Sequence, residues 1–166
     1  MSLAGQRLQP ERYSVIPRTL TFLTRPGEVL LMRVPPGRGA WAGRFNGVGG
    51  HLEQGEDPLS SAAREIAEET GLTAEALQLA GVVVIDTGGT PGIGLYVFRG
   101  TCPPGTPAPG KEGTAEWVET SRLEDLPLVE DLPALLPRVL EAEGRPPFSA
   151  SYTYAQDGRL TIRFAE

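Results

Sequence analysis

The sequence predicts a mixed α/β domain. Three features carry that prediction. Short apolar segments rich in Val, Ile and Leu alternate with Gly- and Pro-rich turns. One well-capped helical segment follows the second of these. A further helical stretch lies near the end of the chain.

The elements follow in chain order. The polar first dozen residues are expected to be loose. VIPRTLTFL, from Val15 to Leu23, predicts a strand, with Pro17 near its start, where a missing donor is tolerated. A turn, RPGE, leads into a second apolar strand from Val29 to Val34, and PPGRGAWAGR is too rich in Gly and Pro to be regular. The segment PLSSAAREIAEET predicts a helix. Asp57 suits its N-cap, Pro58 its first position and Gly71 its C-terminal cap. Leu59, Ala63, Ile66 and Ala67 recur at helical spacing and are expected to face the core. Strands are predicted from Gly81 to Thr87, from Ile93 to Gly100 and from Ala115 to Glu119. A second helix is predicted from Glu130 to Glu143, with Pro133 in its first turn and Pro137 in an awkward interior position. The tail, SYTYAQDGRLTIRF, reads as a hairpin. A three-residue loop of Gln156, Asp157 and left-handed Gly158 would place Tyr152, Tyr154, Leu160 and Ile162 on one face.

The chain's 166 residues suit one domain with a hydrophobic core, here spanning 1–166 and ending in a hairpin over 148–166. No apolar run has the length of a membrane span or a signal peptide, so a cytoplasmic protein without membrane partners is expected. The single cysteine, Cys102, excludes an internal disulfide and has no His or acidic partner nearby in sequence. A net charge of −6 argues against a nucleic-acid polymer as partner. An acidic protein can still handle phosphates through bound cations. Composition leaves the oligomeric state open.

The chemistry concentrates between Gly50 and Leu72. Glu65, Glu68 and Glu69 lie three and four residues apart on the predicted helix, where like charges cost a few tenths of a kcal/mol per pair. Glu56 precedes the helix and can add a fourth carboxylate. Carboxylate oxygens are preferred ligands of hard divalent cations, which would turn this repulsion into coordination. The plain alternative is a solvated acidic face.

Gly50, Glu56, Arg64, Glu65, Ile66, Glu68, Glu69, Gly71 and Leu72 occupy every fixed position of a pattern that resembles the Nudix box, G-x5-E-x7-R-E-U-x-E-E-x-G-U, with U bulky and apolar. The resemblance implies the Nudix fold, an α/β/α sandwich with a mixed sheet and a loop–helix–loop catalytic motif. It implies Mg²⁺ or Mn²⁺ held by Glu65, Glu68 and Glu69, with Glu56 behind them and the Gly49 carbonyl as a further ligand. Arg64 would orient the glutamates by ion pairing. KEGTAEW resembles the segment by which MutT-like members supply a distant metal-binding glutamate, here Glu112, with Glu116 the weaker candidate. GRFNGVGG resembles the approach to the box in oxidised-purine nucleotide hydrolases, where an Asn matching Asn46 reads the base. An Asn amide can both donate and accept, although Asn before Gly is also a turn signal.

Trp41, in the loop before the box, could stack on a base or simply anchor that loop. Gly50 is grouped with Asn46 and Trp41 as substrate-binding. Glu65 is the expected general base, with Glu112 the runner-up, and Arg64 completes the catalytic group. His51 is expected to be electrostatic or structural.

The expected substrate is a nucleotide, foremost a purine nucleoside triphosphate, oxidised or not, cleaved to monophosphate and pyrophosphate. ADP-ribose and dinucleoside polyphosphates are the alternatives. The Pro that ADP-ribose enzymes carry about fifteen residues past the box is replaced by Thr87 and Gly88, with Pro91 slightly late. A non-catalytic nucleotide sensor would usually lack box glutamates, all of which are kept here. A third reading is an acidic interaction module with no nucleotide ligand.

Overall fold

The structure is a computed structural model that describes residues 11–165. The loose segment expected over the first dozen residues falls, up to residue 10, outside that range.

Among the described residues, eight strands and two α-helices form the fold: β1 (Val15–Arg25), β2 (Glu28–Arg33), β3 (Phe45–Asn46), α1 (Pro58–Thr70), β4 (Glu75–Asp86), β5 (Gly92–Thr101), β6 (Thr114–Glu119), α2 (Leu132–Leu140), β7 (Phe148–Tyr154) and β8 (Leu160–Phe164). The sheet is mixed, in the order β3-β2-β1-β5-β4-β7-β8, with β6 paired to β2. β1 runs parallel to β5, and β4 parallel to β7; the other ladders are antiparallel.

Strand periodicity explains the layering. In β2, Val29 and Leu31 join the cluster around Leu132, Leu135, Leu136 and Val139 of α2. Leu30 and Met32, pointing the other way, join Ile66 of α1. In β1, Leu20 and Phe22 take the α2 side and Leu23 the α1 side. A sheet covered by a helix on each face needs apolar residues at successive positions, which is why LLM in β2 does not alternate with polar residues. The α/β/α sandwich implied by the resemblance is therefore present.

Helix α1 is capped as expected. The Asp57 carboxylate accepts from the backbone N–H groups of Leu59 and Ser60, Pro58 opens the helix, and Gly71 is left-handed with φ 68°. Its inward face differs from the prediction. Ala62 and Ile66 are buried together with Glu65 and Glu69, whereas Leu59, Ala63 and Ala67 are exposed. The inward stripe includes two acids because that side of α1 also borders the site.

Two boundaries are corrected. β4 begins at Glu75, six residues early, because EALQLA carries helix-favouring residues and its ladder is broken by two register shifts. α2 covers only 132–140, and Pro133 sits in its first turn. The tail hairpin has the three-residue loop: Tyr154 pairs with Leu160, the Ala155 N–H donates to the Arg159 carbonyl, and Gly158 has φ 82°. Tyr152 pairs with Ile162, so all four named residues share one face.

Candidate active site

The loop from Asn46 to Gly50 runs beside β1, with the Thr19 N–H donating to the Gly50 carbonyl and the Thr21 N–H to that of Val48. This brings the box loop over α1. A Cβ at Gly50 would overlap the Glu65 carboxylate, so only glycine leaves that carboxylate its place. A side chain at Gly49 would collide with the Thr19 carbonyl.

Arg64 gathers the acids. Its Nε and Nη2 donate to the two oxygens of Glu56 at 2.8 and 2.9 Å. Nη1 donates to Glu65 Oε1 at 3.0 Å and to Glu68 Oε2 at 3.4 Å. Nη2 also reaches the His51 carbonyl at 3.2 Å. The fork geometry of a guanidinium makes this multiple pairing possible. The guanidinium and the Glu53 N–H together hold the Glu56 carboxyl down at about 2. Glu65 moves the other way: burial pushes its carboxyl above the ordinary value, against the pull of Arg64, and the charges of Glu68 and Glu112 add to the rise.

The distant glutamate arrives on the loop before β6. Gly110 lies so close to Glu69 that a Cβ there would overlap its backbone and carboxylate. The Glu112 N–H then donates to Glu69 Oε2 at 2.8 Å. Glu116 is exposed on β6, as its place in the strand implied. His51 offers Arg64 its carbonyl, and its ring is exposed. Burial raises the Cys102 thiol, which packs beside the α1-side core and has no trait of a nucleophile.

The acids therefore do not form a solvated stripe: Glu65 and Glu69 are buried, and Glu56, Glu65 and Glu68 converge on one guanidinium. Among the described residues no three acidic, His or Cys side chains stand as a ready-made cation-holding group. By chemistry the donor set fits a hard cation: every candidate ligand atom, including the Gly49 carbonyl, is oxygen.

Glu69, Glu112 and Gly49 also line a cavity of about 350 Å³, whose other walls include Asn46, Trp41, Asp131, Tyr152 and Tyr154. That volume suits a small ligand. The Asn46 Oδ1 accepts the Gly47 N–H at 2.8 Å, so the turn role is realised and the amide still borders the cavity. Trp41 likewise anchors its loop, donating from Nε1 to Glu130 at 3.1 Å, while its ring lines the cavity. Gly50 is placed against Glu65.

Sequence reasoning missed Asp131 and Tyr152. Burial pushes the Asp131 carboxyl up, with Glu130 adding to the rise. Burial and the neighbouring Asp131 also push the Tyr152 hydroxyl up. Asp131 stands at the N-cap position of α2, and its side chain makes no cap hydrogen bond.

The NUDIX domain model matches residues 16–139. The oxidized purine nucleoside triphosphate hydrolase of Danio rerio is 34% identical over 106 residues, covering 63% of this chain and 67% of that protein. The protein of the same name from Mus musculus is 32% identical over the same length. A MutT protein crystal structure from Bacillus halodurans superposes with a TM-score of 0.76 at 26% identity, covering 90% of this chain and 97% of that one.

Proposed function

The chain belongs to the Nudix family of hydrolases and is a pyrophosphohydrolase, and from that premise we propose that it cleaves a purine nucleoside triphosphate, oxidised or not, to monophosphate and pyrophosphate. The observation that carries the reading is the single cavity bordered both by Glu69 and Glu112 and by Asn46, Trp41 and Asp131. A phosphate chain and a flat polar base need those two kinds of wall. The relatives named as oxidized purine nucleoside triphosphate hydrolases support the same substrate class.

In this reading Glu65, Glu68 and Glu69, with Glu56, Glu112 and the Gly49 carbonyl, would hold the divalent cations, Mg²⁺ or Mn²⁺. When bound, such ions neutralise charge on the phosphates and make water a better nucleophile. Glu65 accepts the proton of the attacking water at its carboxylate. Burial raises its affinity for a proton above that of an ordinary carboxyl. Arg64 orients Glu56, Glu65 and Glu68 through the contacts described. Asn46 presents its amide N–H donors to the base, Trp41 offers a stacking face, and Gly50 serves substrate indirectly by leaving room for Glu65. No described helix is long and apolar enough to cross a membrane. The cytoplasm is part of the proposal.

A substrate panel with products identified by mass tests this. Purine triphosphates are expected to yield monophosphate and pyrophosphate with Mg²⁺ and nothing with chelator. Turnover confined to ADP-ribose or dinucleoside polyphosphates would overturn the substrate, and binding without turnover would return the sensor reading.

A further inference from the structure

Two aromatic rings border the cavity and remain partly uncovered: Trp41 is 39% exposed and Tyr154 37%. They come from distant parts of the sheet. Trp41 lies in the turn leading to β3, at one end of the strand order, and Tyr154 ends β7, near the other. One carboxylate joins them. Glu130 Oε2 accepts from Trp41 Nε1–H at 3.1 Å, and Oε1 accepts from the Tyr154 hydroxyl at 3.2 Å. Glu130 itself is exposed, but its neighbours Val129 and Asp131 line the cavity, so it stands at the rim.

We propose that Glu130 is a positioning residue for nucleobase binding: it fixes the Trp41 indole and the Tyr154 ring at the cavity mouth, ready to receive a flat base. This rests on the nucleotide reading above and deepens it. The backbone around Trp41 is a closed turn, with the Arg44 N–H donating to the Trp41 carbonyl, but that bond does not orient the indole. The Nε1–H bond does, because it fixes the far end of the ring. Each oxygen of Glu130 has its own donor, so losing the carboxylate frees both rings together. The Tyr154 hydroxyl is pushed up to about 12 by burial and by the Glu130 charge, so it stays a donor over the working pH range. Both bonds lie near solvent, where a hydrogen bond is worth little to stability. Their effect belongs in binding, where an unfixed ring must be ordered each time a base stacks on it.

The test uses the full chain with Trp117→Phe, so that Trp41 alone reports by fluorescence. GMP, which has no anhydride bond to cleave, is expected to quench Trp41 more strongly than CMP. Glu130→Ala should raise the GMP concentration for half-quenching roughly fivefold, from a loss of about 1 kcal/mol. It should raise KM for a purine triphosphate by a similar factor, with kcat moving less than KM. Glu130→Gln, whose amide oxygen can accept from Trp41 and whose NH2 can donate to the Tyr154 hydroxyl but without the charge, should fall between.

With Trp41→Phe already present, Glu130→Ala should raise KM by less than it does alone, since only the Tyr154 tie is left to lose. Additive effects, unchanged half-quenching in Glu130→Ala, or absence of quenching by GMP would overturn the proposal. If GMP behaves as expected but no triphosphate is cleaved, the reaction assignment falls and the Glu130 tie stands. If purine triphosphates are cleaved with an unchanged KM in Glu130→Ala, the tie falls alone.

Discussion

The carboxylate of Glu69 accepts the backbone N–H of Glu112 at 2.8 Å, so a helix residue and a loop residue 43 positions later form one acidic corner of the cavity. The bond uses one oxygen of Glu69 as an acceptor, and a glutamine amide oxygen can replace it there. What glutamine cannot replace is the charge. Glu69→Gln should therefore keep the fold and the loop while losing cation affinity. Turnover with Mg²⁺ is expected to fall about a hundredfold or more, as for loss of a group worth several kcal/mol to charge stabilisation. Mn²⁺ titration checks the cause. Glu116→Gln, on the exposed side of β6, is the control and should stay within about twofold of the parent. Full activity in Glu69→Gln would remove the metal assignment.

Gly50 separates a packing demand from a chemical one. A methyl group there overlaps the end of the Glu65 side chain, which can swing away, whereas one at Gly49 overlaps the Thr19 backbone, which cannot. Gly50→Ala should melt close to the parent yet lose more than about tenfold in kcat, because Glu65 leaves its place. Gly49→Ala should lose about 1–3 kcal/mol of stability by overpacking. Equal melting losses in both variants would show that the two glycines act alike.

Arg64 donates to three carboxylates and one carbonyl from a rigid fork. A lysine ammonium is a point donor and cannot hold Glu56 through two bonds while reaching Glu65. Arg64→Lys should thus lower turnover about 10- to 100-fold, the range for groups that orient metal ligands. Raising the Mg²⁺ concentration should recover part of it. An unaltered Mg²⁺ dependence would assign Arg64 to the fold alone.

The legible part of this protein was local. The caps of α1 are satisfied within a few residues, so Asp57, Pro58 and Gly71 announce the helix ends. The hairpin loop follows from Gly158 and the need to keep Tyr152 and Ile162 on one face. The box glutamates were legible as a cluster, but not which of them face inward. Leu59 looked like core and is exposed, while Glu65 and Glu69 are buried. Helical periodicity ranks faces by hydrophobicity, and here a site lies on the side the ranking rejects. Asp131, Tyr152 and the Glu130 tie were illegible because their meaning depends on β7 lying beside β4, a parallel pairing that no local pattern encodes.

Asp131 gives the pH dependence with the clearest sign. Burial lifts its carboxyl above the ordinary value of 3.8, the Glu130 charge adds to the rise, and the Asp131 backbone N–H and Tyr152 oppose it. The folded protein therefore holds this proton more tightly than the unfolded chain. Stability from such a group is fully present below the unfolded value and is lost as pH rises through the higher folded value. At neutral pH this half-buried carboxyl is therefore a burden on the fold. Asp131→Asn removes the burden while nearly keeping the shape. Its urea midpoint should exceed the parent's at pH 7, and the gap should close as pH falls through the raised folded value towards the ordinary 3.8. The same variant should bind purine nucleotides more weakly, since the group sits in the cavity wall for a ligand and not for the fold. A gap that widens on acidification would mean that the carboxylate is stabilised by its surroundings, and that its place in the cavity has another origin.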